Sequence, residues 1–106
     1  MPVFHVTFTC RPGTRDEFLS SIRTEGIDAA CRREEGNLAY DYFLPAEGGD
    51  KLLLIERWRD MAALAAHAGQ PHMARMDELK ARYVTDMAIE MLEPVPMNGP
   101  PAGERP

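Results

Sequence analysis

The chain has 106 residues, of which 44% are hydrophobic and 27% charged, and a formal net charge of -5. This length suits one continuous core, and the composition excludes both a disordered polymer and a chain built of membrane spans. The acidic balance, with no basic run longer than Arg32-Arg33, argues against nucleic acid and anionic membranes as partners.

Val3 to Cys10 alternates, with Phe4, Val6, Phe8 and Cys10 on one face and His5, Thr7 and Thr9 on the other, the period of a strand. Arg11-Pro12-Gly13 turns the chain. Thr14 is placed to cap a helix whose first turn carries Asp16 and Glu17 and whose apolar stripe runs to about Glu35, loosened at Gly26 and ended by Gly36. Asn37 to Leu44 alternates again, with Leu38, Tyr40, Tyr42 and Leu44 sharing a face. Pro45 to Asp50, with Gly48-Gly49, reads as a hairpin connection to a third strand over Lys51 to Trp58.

Asp60 is placed to cap the alanine-rich helix MAALAAHA, which Gly69 and Pro71 stop before a second helical segment from about Pro71 to Arg82. Tyr83 to Leu92 is a fourth strand. The organisation is one domain over residues 1–93 and a flexible Pro/Gly-rich tail over 94–106. Cys10 and Cys31 lie outside any Cys-x-x-Cys spacing, and the first strand begins at once, with no secretory leader. Buried free thiols and a cytoplasmic location are therefore expected.

The order β-α-β-β-α-β is the ferredoxin-like α+β pattern, a four-stranded antiparallel sheet with helices on one side. Strands two to four carry apolar residues on both faces, for example Leu52 and Leu54 against Leu53 and Ile55. A bare sheet face of that kind is resolved by a homodimer whose sheets pack face to face.

The stretch from Glu56 to Met73 holds the chain's only tryptophan and two of its three histidines, and candidate site residues lie in it and on the second and third strands. Leu54, Glu56 and Trp58 point the same way along the third strand, towards the space between sheet and helices. Trp58 is either plain core or the wall of a pocket. Glu56 needs a partner, an arginine or a site group, or takes up a raised pKa. His67 near the end of one helix and His72 in the first turn of the next are alternative general bases. Each has a plainer reading, His67 as a helix cap and His72 as a surface residue. Tyr40 and Tyr42 offer hydroxyls to an aromatic ligand or simply pack. Asn37, at the strand start, serves the turn or reaches the ligand. No metal is expected: His67 and His72 are five apart across a Gly-Pro break and lack an evident third ligand.

The element order, the Arg11-Pro12-Gly13 turn, Glu35-Gly36-Asn37-Leu38-Ala39-Tyr40 before strand two, and Glu56-x-Trp58 followed by His67 together resemble the antibiotic biosynthesis monooxygenase family, its small quinol monooxygenase-like members above all. The resemblance spans about Val3 to Leu92. It implies a dimeric α/β barrel and oxygenation of a quinol or anthrone-like aromatic by molecular oxygen without metal, flavin or haem. His67 or His72 would then be the base, Glu56 would orient or charge-balance it, and Trp58 with Tyr40 would form the aromatic wall, Tyr42, Asn37 and Leu54 completing the substrate site. Haem-degrading relatives carry a pocket Asn on the first strand, absent from Val3 to Cys10, and a Trp-to-His spacing that falls here on His67 and Asp77, so that variant is excluded. The alternative to an enzyme is a dimeric binding or stress-response module that holds an aromatic metabolite and does no chemistry.

Overall fold

The computed structural model describes residues 1–99. Of the tail expected over 94–106, positions 100–106 lie outside the described residues. Strands β1 (Val3–Cys10), β2 (Asn37–Phe43), β3 (Lys51–Trp58) and β4 (Val84–Leu92) form one antiparallel sheet in the order β2-β3-β1-β4. Helices α1 (Arg15–Thr24), α2 (Ile27–Arg32), α3 (Met61–Ala68) and α4 (Pro71–Tyr83) supply the second layer. This is the ferredoxin-like arrangement expected from the element order. No helix among the described residues is long and apolar enough to cross a membrane.

The long helix expected from Thr14 to about Glu35 is two helices. Gly26 sits at φ 72° and ends α1, because a left-handed residue breaks the helical hydrogen-bond ladder and re-aims α2. Thr14 does not cap α1; its hydroxyl donates to the Arg11 carbonyl at 2.8 Å and closes the turn. Asp60 does cap α3, accepting from the Ala63 amide at 2.9 Å. The break before α4 falls where Gly69 and Pro71 put it, with Pro71 in the first turn.

The inner face of β1 and β3 is the centre of the core: Phe8, Leu52, Leu54 and Trp58 are at most 2% exposed. Phe18 and Ile22 dock α1 on it, Phe18 meeting Phe8 edge-on at 5.6 Å between ring centroids. Each such burial is worth roughly 1.5–3 kcal/mol.

One expectation about faces needs correcting. Leu38 does not share the inner face with Tyr40 but is 52% exposed, because a one-residue bulge between Asn37 and Ala39 shifts the register. Asn37, opposite Trp58, comes inside instead. The helices also do not reach across the whole sheet. Met87, Ile89 and Met91 stand opposite Phe8, Val6 and Phe4 on the helix-facing side of β4, yet are exposed along this edge.

Candidate active site

Gly36 sets the site's outer corner. It sits at φ 82°, and a Cβ there would lie 2.5 Å from the Ala63 Cβ, so only glycine lets the start of β2 press against α3. The Gly36 carbonyl also accepts from the Arg59 amide at 2.8 Å, tying the two segments. His67, one helical turn beyond Ala63 on the same face, is thereby carried over the inner surface of the sheet.

His67 is buried between aromatic rings, its centroid 4.8 Å from that of Trp58 and 5.6 Å from that of Tyr40. Its Nδ1 lies 2.7 Å from Oε2 of Glu34, and its Nε2 lies 4.0 Å from Oε1 of Glu56. The Trp58 indole N–H donates to that same Glu56 oxygen at 3.0 Å. From the far side, His72 Nε2 approaches Glu34 Oε2 at 2.8 Å. A carboxylate oxygen only accepts, so His67 Nδ1 and His72 Nε2 carry the protons, and in neutral His67 the lone pair is on Nε2, facing Glu56.

Burial lifts the Glu56 carboxyl above the usual carboxylate range, against the lowering pull of the Trp58 N–H and of His67. Burial likewise pushes the Tyr40 and Tyr42 phenols far above their ordinary value, leaving both as neutral hydrogen-bonding groups. The Cys31 thiol is pushed up to about 12 by the same desolvation.

Five of the sequence-derived residues, Leu54, Glu56, Trp58, Tyr40 and His67, meet in this inner layer, and His72 joins through Glu34. Asn37 stands apart: its side-chain amide donates to the Ala39 carbonyl at 3.1 Å and the Arg57 carbonyl at 3.5 Å, stitching the bulge. The space between sheet and helices, expected to be a pocket, is filled, with Trp58, Tyr40 and Leu54 at 0%, 2% and 1% exposure. A cleft of about 400 Å³ opens instead beside β2, between Leu19, Arg23 and Arg32 on one side and Tyr42, Phe43 and Leu44 on the other. Tyr42 joins the two regions: it lines the cleft, and its ring stands 6.0 Å from that of Tyr40. Its hydroxyl is buried with no hydrogen-bond partner among the described residues.

Glu34 and Cys31 are the site residues that sequence reasoning missed. Glu34 occupies the turn between α2 and β2 and lies 33 positions from His67, with nothing local to mark it. Cys31 was expected as a buried free thiol, and it is one, but it stands beside the histidines. No third ligand-type residue beside His67 and His72 was evident in the sequence; in the fold the Gly69–Pro71 break turns α4 so that both imidazoles reach one carboxylate, that of Glu34.

Inside this α+β sheet-and-helix domain a buried imidazole thus stands between two carboxylates and two aromatic rings. The family model described as antibiotic biosynthesis monooxygenase matches residues 1–79, and the chain belongs to that family. It is 34% identical over 92 residues to a Mycobacterium tuberculosis protein named "Putative monooxygenase Rv0793", covering 83% of this chain and 85% of that one. It is 32% identical over 72 residues to "Putative monooxygenase YcnE" of Bacillus subtilis, covering 68% and 74%. The crystal structure of PA3566 from Pseudomonas aeruginosa superposes with a TM-score of 0.80 at 26% identity, covering 90% and 94%. Family and relatives together support a general monooxygenase role.

Proposed function

We propose that the protein is a cofactor-independent monooxygenase acting on a quinol or a polycyclic, anthrone-like aromatic. The observation that carries this reading is His67: a buried imidazole held at Nδ1 by Glu34, packed between the Trp58 and Tyr40 rings, with its Nε2 lone pair on the side of Glu56. Between the two candidate bases the geometry favours His67, since His72 spends its Nε2–H on Glu34 and acts as a support for that carboxylate. Trp58, Tyr40 and Leu54 form the wall, and Glu56, anchored by the Trp58 indole, faces the proton that Nε2 takes up.

The substrate enters from the cleft past Tyr42. His67 removes an acidic phenolic or benzylic proton, and the resulting carbanion-like anion passes one electron to oxygen. The radicals combine into a peroxide anion, which takes back the proton held by His67 to become a hydroperoxide, and this loses water. In the anthrone case a CH₂ becomes a carbonyl, one oxygen atom is retained in the product and the other leaves as water. The protein's share is positioning, deprotonation and exclusion of bulk water. We further propose that two copies pack their open sheet faces together in a homodimer, and that the free thiols Cys10 and Cys31 reflect a reducing, cytoplasmic setting.

One observation favours a second reading. The interior around His67 is filled, so a ligand confined to the cleft would never meet the base, and the protein would be a non-catalytic binding or stress-response module for an aromatic metabolite. The two are separated by mixing the chain anaerobically with a reduced quinone, admitting oxygen, and comparing product formation with His67→Ala and His72→Ala. Turnover above autoxidation that collapses in His67→Ala supports the enzyme. Saturable binding with background oxidation in all three chains supports the module.

A further inference from the structure

Where α2, α3 and α4 converge, the Cys31 thiol, a Glu34 carboxylate oxygen and one ring nitrogen from each of His67 and His72 all lie within 4.8 Å of one another. Tetrahedral metal sites with bonds of about 2.0–2.3 Å separate their ligand atoms by roughly 3.3–3.8 Å, so modest side-chain shifts would close this cluster on an ion. We propose that Cys31, Glu34, His67 and His72 form a binding site for a divalent transition-metal ion of the zinc class.

The donor set selects the ion. One sulfur and two imidazole nitrogens with a single carboxylate oxygen suit zinc and its first-row neighbours, and are wrong for magnesium or calcium, which require mostly oxygen. The arrangement is already organised around a common centre, since the two imidazoles approach the same Glu34 oxygen at 2.7 and 2.8 Å. An outer shell is present too. His67 Nε2 faces Glu56 Oε1 at 4.0 Å, and the Trp58 indole holds that oxygen at 3.0 Å, the carboxylate–histidine pairing that orients imidazole ligands. Three of the ligands come from helices and the fourth from the turn that follows α2. The His72 side chain is 19% exposed and Glu34 and His67 are 7% exposed, so the ion enters from the His72 side. The Met73 sulfur, 3.9 Å from that of Cys31, adds a further soft neighbour.

On coordination the Cys31 thiol proton leaves to solvent, and each imidazole carries its proton on the nitrogen away from the ion. In His67 that nitrogen is Nε2, the one assigned above as the base, so the loaded protein would be silent as an oxygenase. Only this consequence rests on the monooxygenase reading; the site itself does not.

The test uses the full chain after chelator treatment, titrated with Zn²⁺ by calorimetry and with Co²⁺ by absorption, without substrate. The expected result is one equivalent per chain, intense visible bands of tetrahedral cobalt and a near-ultraviolet thiolate-to-cobalt band. His72→Ala, partly exposed and checked for folding by circular dichroism, should weaken zinc binding roughly 100-fold, at or beyond the upper end of what outer-shell losses cause. Cys31→Ser should remove the near-ultraviolet band, whereas Cys10→Ser and His5→Ala should change nothing. If Cys31→Ser does not fold, the intact chain's cobalt spectrum and His72→Ala decide. Absence of saturable binding, a cobalt spectrum without a thiolate band, or binding indifferent to His72→Ala would each overturn the proposal.

Discussion

His67 Nδ1 and Glu34 Oε2 stand 2.7 Å apart although the residues are separated by 33 positions in the chain. The contact orients the proposed base in a buried site and leaves its Nε2 with no hydrogen bond among the described residues, 4.0 Å from Glu56 Oε1. If His67 is that base, His67→Ala should lower kcat on a reduced quinone by about 10²–10⁴-fold. Glu34→Gln, which keeps an acceptor but loses the charge, should cause a smaller fall in kcat with KM little changed. Oxygen-uptake rates measure both, and variants equal to the parent would remove His67 from the chemistry.

Glu56 makes a stability prediction whose sign is set by its environment. Its carboxyl is raised above the ordinary value of 4.5, chiefly by burial, so the folded chain holds this proton more tightly than the unfolded chain. The contribution is fully present below 4.5 and is lost as pH rises through the folded pKa. Glu56→Gln keeps the acceptor for the Trp58 indole and cannot ionise. Urea midpoints of this variant should therefore decline less than the parent's as pH is raised from 4.5 to neutrality, and parallel curves would contradict the assignment.

Gly36 is the tightest backbone approach in the site. Gly36→Ala must place a Cβ 2.5 Å from that of Ala63 in a left-handed conformation, with backbone on both sides unable to retreat. A loss of about 2–4 kcal/mol is expected from denaturant melts, combining overpacking with backbone strain. Gly13→Ala, also at positive φ but with open space around it, should cost less.

The buried Tyr42 hydroxyl has no partner among the described residues, so Tyr42→Phe removes an unsatisfied polar group. Folding stability should stay level or rise by about 1 kcal/mol. If the cleft is the route for a phenolic ligand, the same change should raise KM or Kd for it. A variant that is destabilised instead would mean that the hydroxyl already has a partner.

The open sheet face supplies the last prediction. Ile55 is half-buried on the side away from the helices, next to Leu53. Light scattering should find the parent chain as a dimer and Ile55→Arg as a folded monomer, because a charge buried across a symmetric interface is met by its own copy. A monomeric parent chain would remove the proposed dimer.

Element types and order could be read in the sequence because they are local. The alternation in Val3–Cys10 and Lys51–Trp58 is the pleat itself, and Asp60, Gly69 and Pro71 punctuate helices by their own stereochemistry. Gly26 was visible as a weak point, but whether it loosens a helix or splits it depends on what α2 packs against. The inward set Leu54, Glu56 and Trp58 follows from a period of two and was equally legible. Leu38 was misplaced because one inserted residue reverses that period, and nothing in the composition of Asn37-Leu38-Ala39 announces a bulge.

By itself, then, the sequence determined an antiparallel ferredoxin-like sheet, the two helices after its third strand, its family and one carboxylate-tryptophan-histidine constellation, since each is encoded in residues near one another along the chain. Only the tertiary structure decided what surrounds His67. Glu34 and Cys31 come from a helix end and a turn far away in sequence, and they reach the imidazoles because Gly26, Gly36 and the Gly69–Pro71 break steer three helix ends to one point. Side-chain convergence of that kind is a property of packing, which no local pattern of residues carries.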